Sequence, residues 1–128
     1  MTYSYKKEVN LGFEEAITKV REELKKEGFG ILTEIDVKKT LKEKLDVDYD
    51  DYIILGACNP SFAFKALQNE KEIGLLLPCN VIVYVSNGET FVSAINPVEA
   101  MGMVENDSLK EIAEEVKIKL EKVIDSLG

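Results

Sequence analysis

The chain contains no histidine and no tryptophan, and it has only two cysteines and three prolines. Each shortage removes a class of function. Without histidine, the usual general base at neutral pH and the commonest metal ligand are both missing. Ser-His and Cys-His nucleophilic machinery cannot be built within this chain. Two cysteines do not make a disulfide-dense secreted scaffold. Structural zinc wants four Cys or His ligands, so only a dimer pooling its thiolates would supply the set; no metal site is expected. Clustered positive charge is lacking too. The net charge is −8, and Lys and Arg are intermixed with acids. Phosphate backbones call for clustered cations, so nucleic acid is not an expected partner. The apolar runs fall far short of a membrane span, and Met1 to Val9 is polar without the apolar core of a secretion signal. These shortages together predict a cytoplasmic protein with no membrane partner.

What is present suits one domain. A chain of 128 residues, 45% hydrophobic and 31% charged, has ordinary globular composition and is long enough for its own core. Residues 2–9 alternate in the manner of a strand with one solvated face. Either Asn10 or Gly12 caps a helix whose Phe13, Ala16, Ile17, Val20 and Leu24 form one apolar stripe. Glu14 and Glu15 at its start and Lys25 and Lys26 at its end match the helix dipole, and Gly28 suits its C-terminal cap. A second strand is expected from Phe29 to Ile35, with Phe29, Ile31, Thr33 and Ile35 on one face. Asp36 caps a short helix that turns Val37, Leu41 and Leu45 inward. The Asp46-x-Asp48-x-Asp50 run lacks the Gly and Glu that a calcium loop needs at its sixth and twelfth positions, where Asp51 and Ala57 stand. It reads as a solvated acidic connection.

Ile53 to Val85 organises the rest. Tyr52 to Ala57 is a continuous apolar run, as expected of a strand covered on both faces. Asn59-Pro60 opens a helix with Phe62, Ala63, Ala66 and Leu67 on its buried side, and Gly74 to Leu77 is expected to be extended. Asn87-Gly88 between two β-rich runs predicts a type I′ hairpin, which fixes the register. Tyr84 then faces Phe91, and Val83 faces Val92. One face carries Val81, Val83, Val85, Val92 and Ala94. The other carries Ile82, Tyr84, Phe91 and Ile95, too apolar a set to leave in water, so it is either covered or used as an interface. Asn96-Pro97 starts a helical turn leading to Met101-Gly102-Met103, where the methionines either fill core gaps or line an apolar pocket. A last helix runs from about Asp107 to Leu127, with its stripe on Leu109, Ile112, Ala113, Val116, Leu120, Val123 and Leu127. The order predicts an α+β fold, a mostly antiparallel sheet with its long helices on one face.

The segment Ile54-Leu55-Gly56-Ala57-Cys58-Asn59-Pro60, with Ala63, Ala66-Leu67 and Ile73 to Val81, resembles the core signature of domain-of-unknown-function family 302. Glu27-Gly28-Phe29-Gly30, Thr33 to Val37 and Asn96-Pro97 resemble that family as well. The resemblance implies a β-α-β(4)-α arrangement similar to the fold of TATA-binding protein, with short extra helices here, and it implies a homodimer. It carries no activity and no cofactor, and a shared fold says nothing of DNA binding.

Cys58 ends one strand and Cys79 begins another. If those strands run antiparallel, both thiols meet at one end of the sheet, with Asn59, Asn80 and the start of the Pro60 helix beside them. A helix N-terminus attracts anions and lowers a thiol pKa. Cys58, Asn59, Pro60, Cys79 and Asn80 are therefore the candidate site for a small ligand. Ile82, Tyr84, Phe91 and Ile95 are the candidate dimer interface. A thiol-dependent redox or transfer enzyme, using Cys58 or Cys79 as nucleophile, is the alternative. A structural module with inert, buried thiols is the third.

Overall fold

The computed structural model describes residues 2–128. Five strands, β1 (Ser4–Val9), β2 (Gly30–Asp36), β3 (Tyr52–Cys58), β4 (Cys79–Ser86) and β5 (Glu89–Ile95), form one sheet in the order β1-β5-β4-β3-β2. Every neighbouring pair is antiparallel. Two long helices, α1 (Phe13–Lys26) and α5 (Ser108–Asp125), pack on one face. Three shorter helices, α2 (Val37–Leu45), α3 (Pro60–Asn69) and α4 (Pro97–Ala100), complete the chain, with 3-10 segments at Lys71–Leu76 and Met101–Met103. This is the expected α+β architecture.

The hairpin register is the one Asn87-Gly88 dictates. Both residues have positive φ, at 51° and 78°, as a type I′ turn requires, and Tyr84 pairs with Phe91 and Val83 with Val92. The pairing extends the alternation to β3, where Leu55 opposes Val81 and Ile53 opposes Val83. These side chains meet Ala16, Val20 and Leu24 of α1 and Val116, Leu120 and Val123 of α5 in the main core. Gly12 is the N-cap of α1, with its N–H donated to Glu15 Oε1 at 3.3 Å. The Tyr5 hydroxyl donates to Asp125 Oδ1 at 2.7 Å and ties β1 to the end of α5. A second, smaller core gathers Ala66, Ile73, Met101, Leu109 and Ala113 beside the first.

Four expectations are corrected. The apolar run of β3 is not covered on both faces: Ile53, Leu55 and Ala57 are buried, but Tyr52 and Ile54 on the far face are only half-buried. Residues 29–35 do not share one face. The β2–β3 register shifts between Ile31 and Thr33, so Ile31 packs on the core while Ile35 is 48% exposed on the other side. The helix α2 buries none of its residues, and Leu45 is 66% exposed, because α2 hangs from the edge strand and packs against β2 and β3 rather than the core. Residues 74–76 belong to a 3-10 segment, not a strand. Its three-residue period turns Ile73 and Leu76 toward the second core and leaves Leu75 outside.

Candidate functional site

The two cores do not close on each other completely. Between them lies a cavity of about 270 Å³. Phe29, Ala57, Cys79 and Val116 of the main core form one wall, and Ala66 and Met101 of the second core form part of the other. The α3 helix roofs it with Phe62, Ala63 and Leu67. Those residues were expected to be buried against the core. Of that stripe only Ala66 is fully buried, and Leu67 is 43% exposed, because the helix lies over a space rather than over packed side chains.

The local chain path follows from three features. Antiparallel pairing sets Ala57 opposite Cys79, so Cys58 and Cys79 sit at the same end of the sheet, and both line the cavity. Gly28, at φ +86°, turns the chain sharply after α1, and a side chain there would press on Asn59. That turn presents the Glu27 carbonyl to Asn59, whose Nδ2 donates to it at 3.2 Å. Asn59 holds the N-cap position of α3 as expected, but its side chain makes no cap hydrogen bond. It joins the end of α1 to the start of α3 instead. The third feature is the irregularity in β2. Ile31 pairs with Ala57 and Thr33 with Gly56, which leaves Leu32 as the extra residue. A bulge redirects its side chain, and Leu32 lines the cavity while 66% exposed, forming part of its rim.

Gly56 shows how tightly the adjoining strands meet. A Cβ there would collide with the Thr33 hydroxyl and lie 2.8 Å from the Pro78 ring. The Leu77–Pro78 peptide is cis, and both residues line the cavity.

Of the five candidate site residues, Cys58, Asn59 and Cys79 line the cavity. Pro60 is exposed at the first turn of α3 and does not. Asn80 pairs with Gly56 and is exposed; it borders an adjoining hollow, with Leu75, Ile95 and Pro97, that shares Leu77, Pro78, Cys79 and Met101 with the cavity. Strand alternation keeps Asn80 out of the cavity that Cys79 lines, since neighbours along a strand point to opposite faces. Sequence reasoning did not place Phe29, Leu32, Ala57, Leu77, Pro78, Ile112 or Val116 at the site, and it gave the α3 stripe of Phe62, Ala63, Ala66 and Leu67 a core role only. Nothing local marks them, because a cavity wall and a core stripe share the same spacing. Met101 does line the cavity, whereas Met103 is 74% exposed.

The electrostatics are those of an apolar site. No charged side chain lines the cavity, and Asn59 contributes its one polar side chain. Cys79 is 8% exposed. Its thiol is pushed up from 9.0 to about 11, first by burial and then by the neighbouring Cys58. Burial disfavours the thiolate of Cys79, the direction opposite to activation. Among the described residues, no group of three or more Cys, His, Asp or Glu could hold a metal ion. No described helix is long and apolar enough to cross a membrane.

On the opposite face of the sheet, Tyr52, Tyr84 and Phe91 form a stacked row, with ring centroids 5.4 and 5.3 Å apart. Lys6 lies over the Phe91 ring, 5.6 Å from its centroid. Ile82, Tyr84, Phe91 and Ile95 are each half-buried, Ile95 also packing against the main core and lining the hollow beside Asn80.

No curated protein matches this chain. The crystal structure of an uncharacterised conserved DUF302 protein from Bacillus stearothermophilus matches all of it over all of its own length, with 34% identity and a TM-score of 0.94. The family model described as domain of unknown function DUF302 matches residues 5–127. The signature residues around Cys58 and Cys79, the five-stranded antiparallel fold and these two matches agree, and the chain belongs to the DUF302 family.

Proposed function

We propose that this protein binds a small organic ligand in the cavity at the Cys58/Cys79 end of the sheet. The observation that carries this reading is the cavity itself, about 270 Å³ of space between two otherwise packed cores. Apolar pockets with few polar groups are the usual form of a small-molecule site. Asn59, through Glu27, braces the helix that roofs it. Catalysis by Cys79 has less support, because a thiol pushed up to about 11 is almost wholly protonated at neutral pH and the chain has no histidine to activate it. Cytoplasmic residence belongs to the same proposal, since both cysteines are free thiols.

Native mass spectrometry of freshly purified protein tests the proposal. Wild type is expected to carry an added mass that Ala63→Trp, which fills the cavity, abolishes. Leu67→Lys gives a second variant at an exposed rim position, where folding is not at risk, and it should weaken retention. An added mass kept equally by both folded variants would place the ligand elsewhere and overturn the reading.

A homodimer is the second part of the proposal, with Ile82, Tyr84, Phe91 and Ile95 as its contact. Neither long helix covers this face. Exposed Lys6 and Glu8 project to the same face from β1, both beside the Phe91 end of the aromatic row. Tyr84→Asp should give a monomer by sedimentation velocity. A dimer indifferent to Tyr84→Asp and Phe91→Asp would put the interface elsewhere.

A further inference from the structure

We infer that the group held in the cavity is a hydrocarbon chain or ring system of about ten carbons, with its polar end left outside. This deepens the ligand-binding reading above and rests on it. The first ground is what the wall lacks. No Asp, Glu, Lys or Arg lines the cavity, and its one polar side chain is Asn59, which gives one amide N–H to the Glu27 carbonyl. A charged headgroup placed inside would lose its water and gain no opposite charge, with the Asn59 amide as its one polar side-chain neighbour. The second ground is size. A cavity of about 150 Å³ lined by Leu, Ile and Phe takes one benzene ring, or roughly 25 Å³ per carbon. At that density 270 Å³ holds about ten carbons. The third ground is the rim. Leu32 is the bulged residue of β2, turned to the cavity instead of pairing in the ladder, and it is 66% exposed; Leu67, which also lines the cavity, is 43% exposed. Two leucines kept in water at the edge of an apolar cleft extend its wall toward the point where a headgroup would emerge. The sulfurs of Cys58, Cys79 and Met101 add soft, polarisable surface suited to such a group.

Isothermal titration of the whole protein with n-alkanoates from butyrate to tetradecanoate, below their micelle concentrations, tests this. Affinity should tighten about three- to fourfold per methylene and level off near ten carbons. Decanoate and decyltrimethylammonium should bind within about tenfold of each other, since no charge lines the site. Leu32→Asp, at an exposed position outside the core, should weaken decanoate about tenfold or more. Affinity independent of chain length, or set by the sign of the headgroup, would overturn the assignment. If it fails while Ala63→Trp still removes a co-purified polar molecule, the hydrocarbon class falls and the cavity remains a ligand site. If neither alkanoates nor any co-purified mass responds to Ala63→Trp, both readings fall together.

Discussion

The buried thiol of Cys79 makes a quantitative prediction about reactivity. Its pKa stands at about 11 instead of 9.0. At pH 8 a thiol of pKa 9.0 is roughly one-tenth ionised and one of pKa 11 roughly one-thousandth. Since the thiolate is the nucleophile, the native residue should react about 100-fold more slowly than the same residue in the unfolded chain, before any steric shielding. The assay is a time course of iodoacetamide alkylation at pH 8, in buffer and in urea, read by peptide mass spectrometry. The native rate should keep climbing to about pH 11. Cys79 labelling as fast in the native state as in urea, or a rate that plateaus below pH 8, would refute the burial argument and restore the thiol-enzyme alternative. The same shift bears on stability. The folded state holds this proton more tightly than the unfolded state does. The contribution is therefore fully present below pH 9 and is lost as pH rises toward 11, a change on the order of 3 kcal/mol for two units. Cys79→Ala should flatten that part of the stability-versus-pH curve even though it lowers stability at neutral pH.

Three further outcomes follow from packing. Gly56→Ala should destabilise by about 1–3 kcal/mol, because the new methyl group meets Thr33 and Pro78; adding Thr33→Ala should recover part of the loss, and a fully stable single variant by urea titration would contradict the crowding. Leu55→Ala, at a fully buried position in the central strands, should cost about 2–5 kcal/mol and lower Tm by roughly 8–20 °C in a calorimeter. Substituting Gly28 by Ala should destabilise through its φ of +86° and its contact with Asn59, whereas Gly74→Ala, which meets nothing, should be close to neutral in the same thermal assay.

Much of the fold was legible because its signals are local. Asn87-Gly88 fixed a turn, the turn fixed the β4–β5 register, and alternation then sorted Val83 from Tyr84. The stripes of α1 and α5 followed for the same reason, save that Ile124 is buried as well and Phe13 and Ile112 are only half-buried. The errors fell where one residue or one neighbour decides. A single unpaired residue, Leu32, flips the second half of β2, and no pattern in Phe29-x-Ile31-x-Thr33-x-Ile35 announces it. The α2 helix is amphipathic like any other, but being hung from an edge strand it never reaches the core. The meeting of Cys58 and Cys79 followed from antiparallel strands; the cavity between them did not. Phe62, Ala63, Ala66 and Leu67 look like a core stripe whether the space beneath is filled or empty, because that depends on side chains from β2, α5 and the second core.

Methyl-detected NMR of protein carrying ¹³C-labelled methionine tests the cavity most directly, because the chain carries its own control. Met101 lines the space, while Met103, two residues on, is 74% exposed. On titration with decanoate, the Met101 methyl should shift and saturate, Met103 should stay within the noise, and Ala63→Trp should abolish the response. A Met101 signal that does not move, or one that moves no more than Met103, would contradict a ligand site between the two cores.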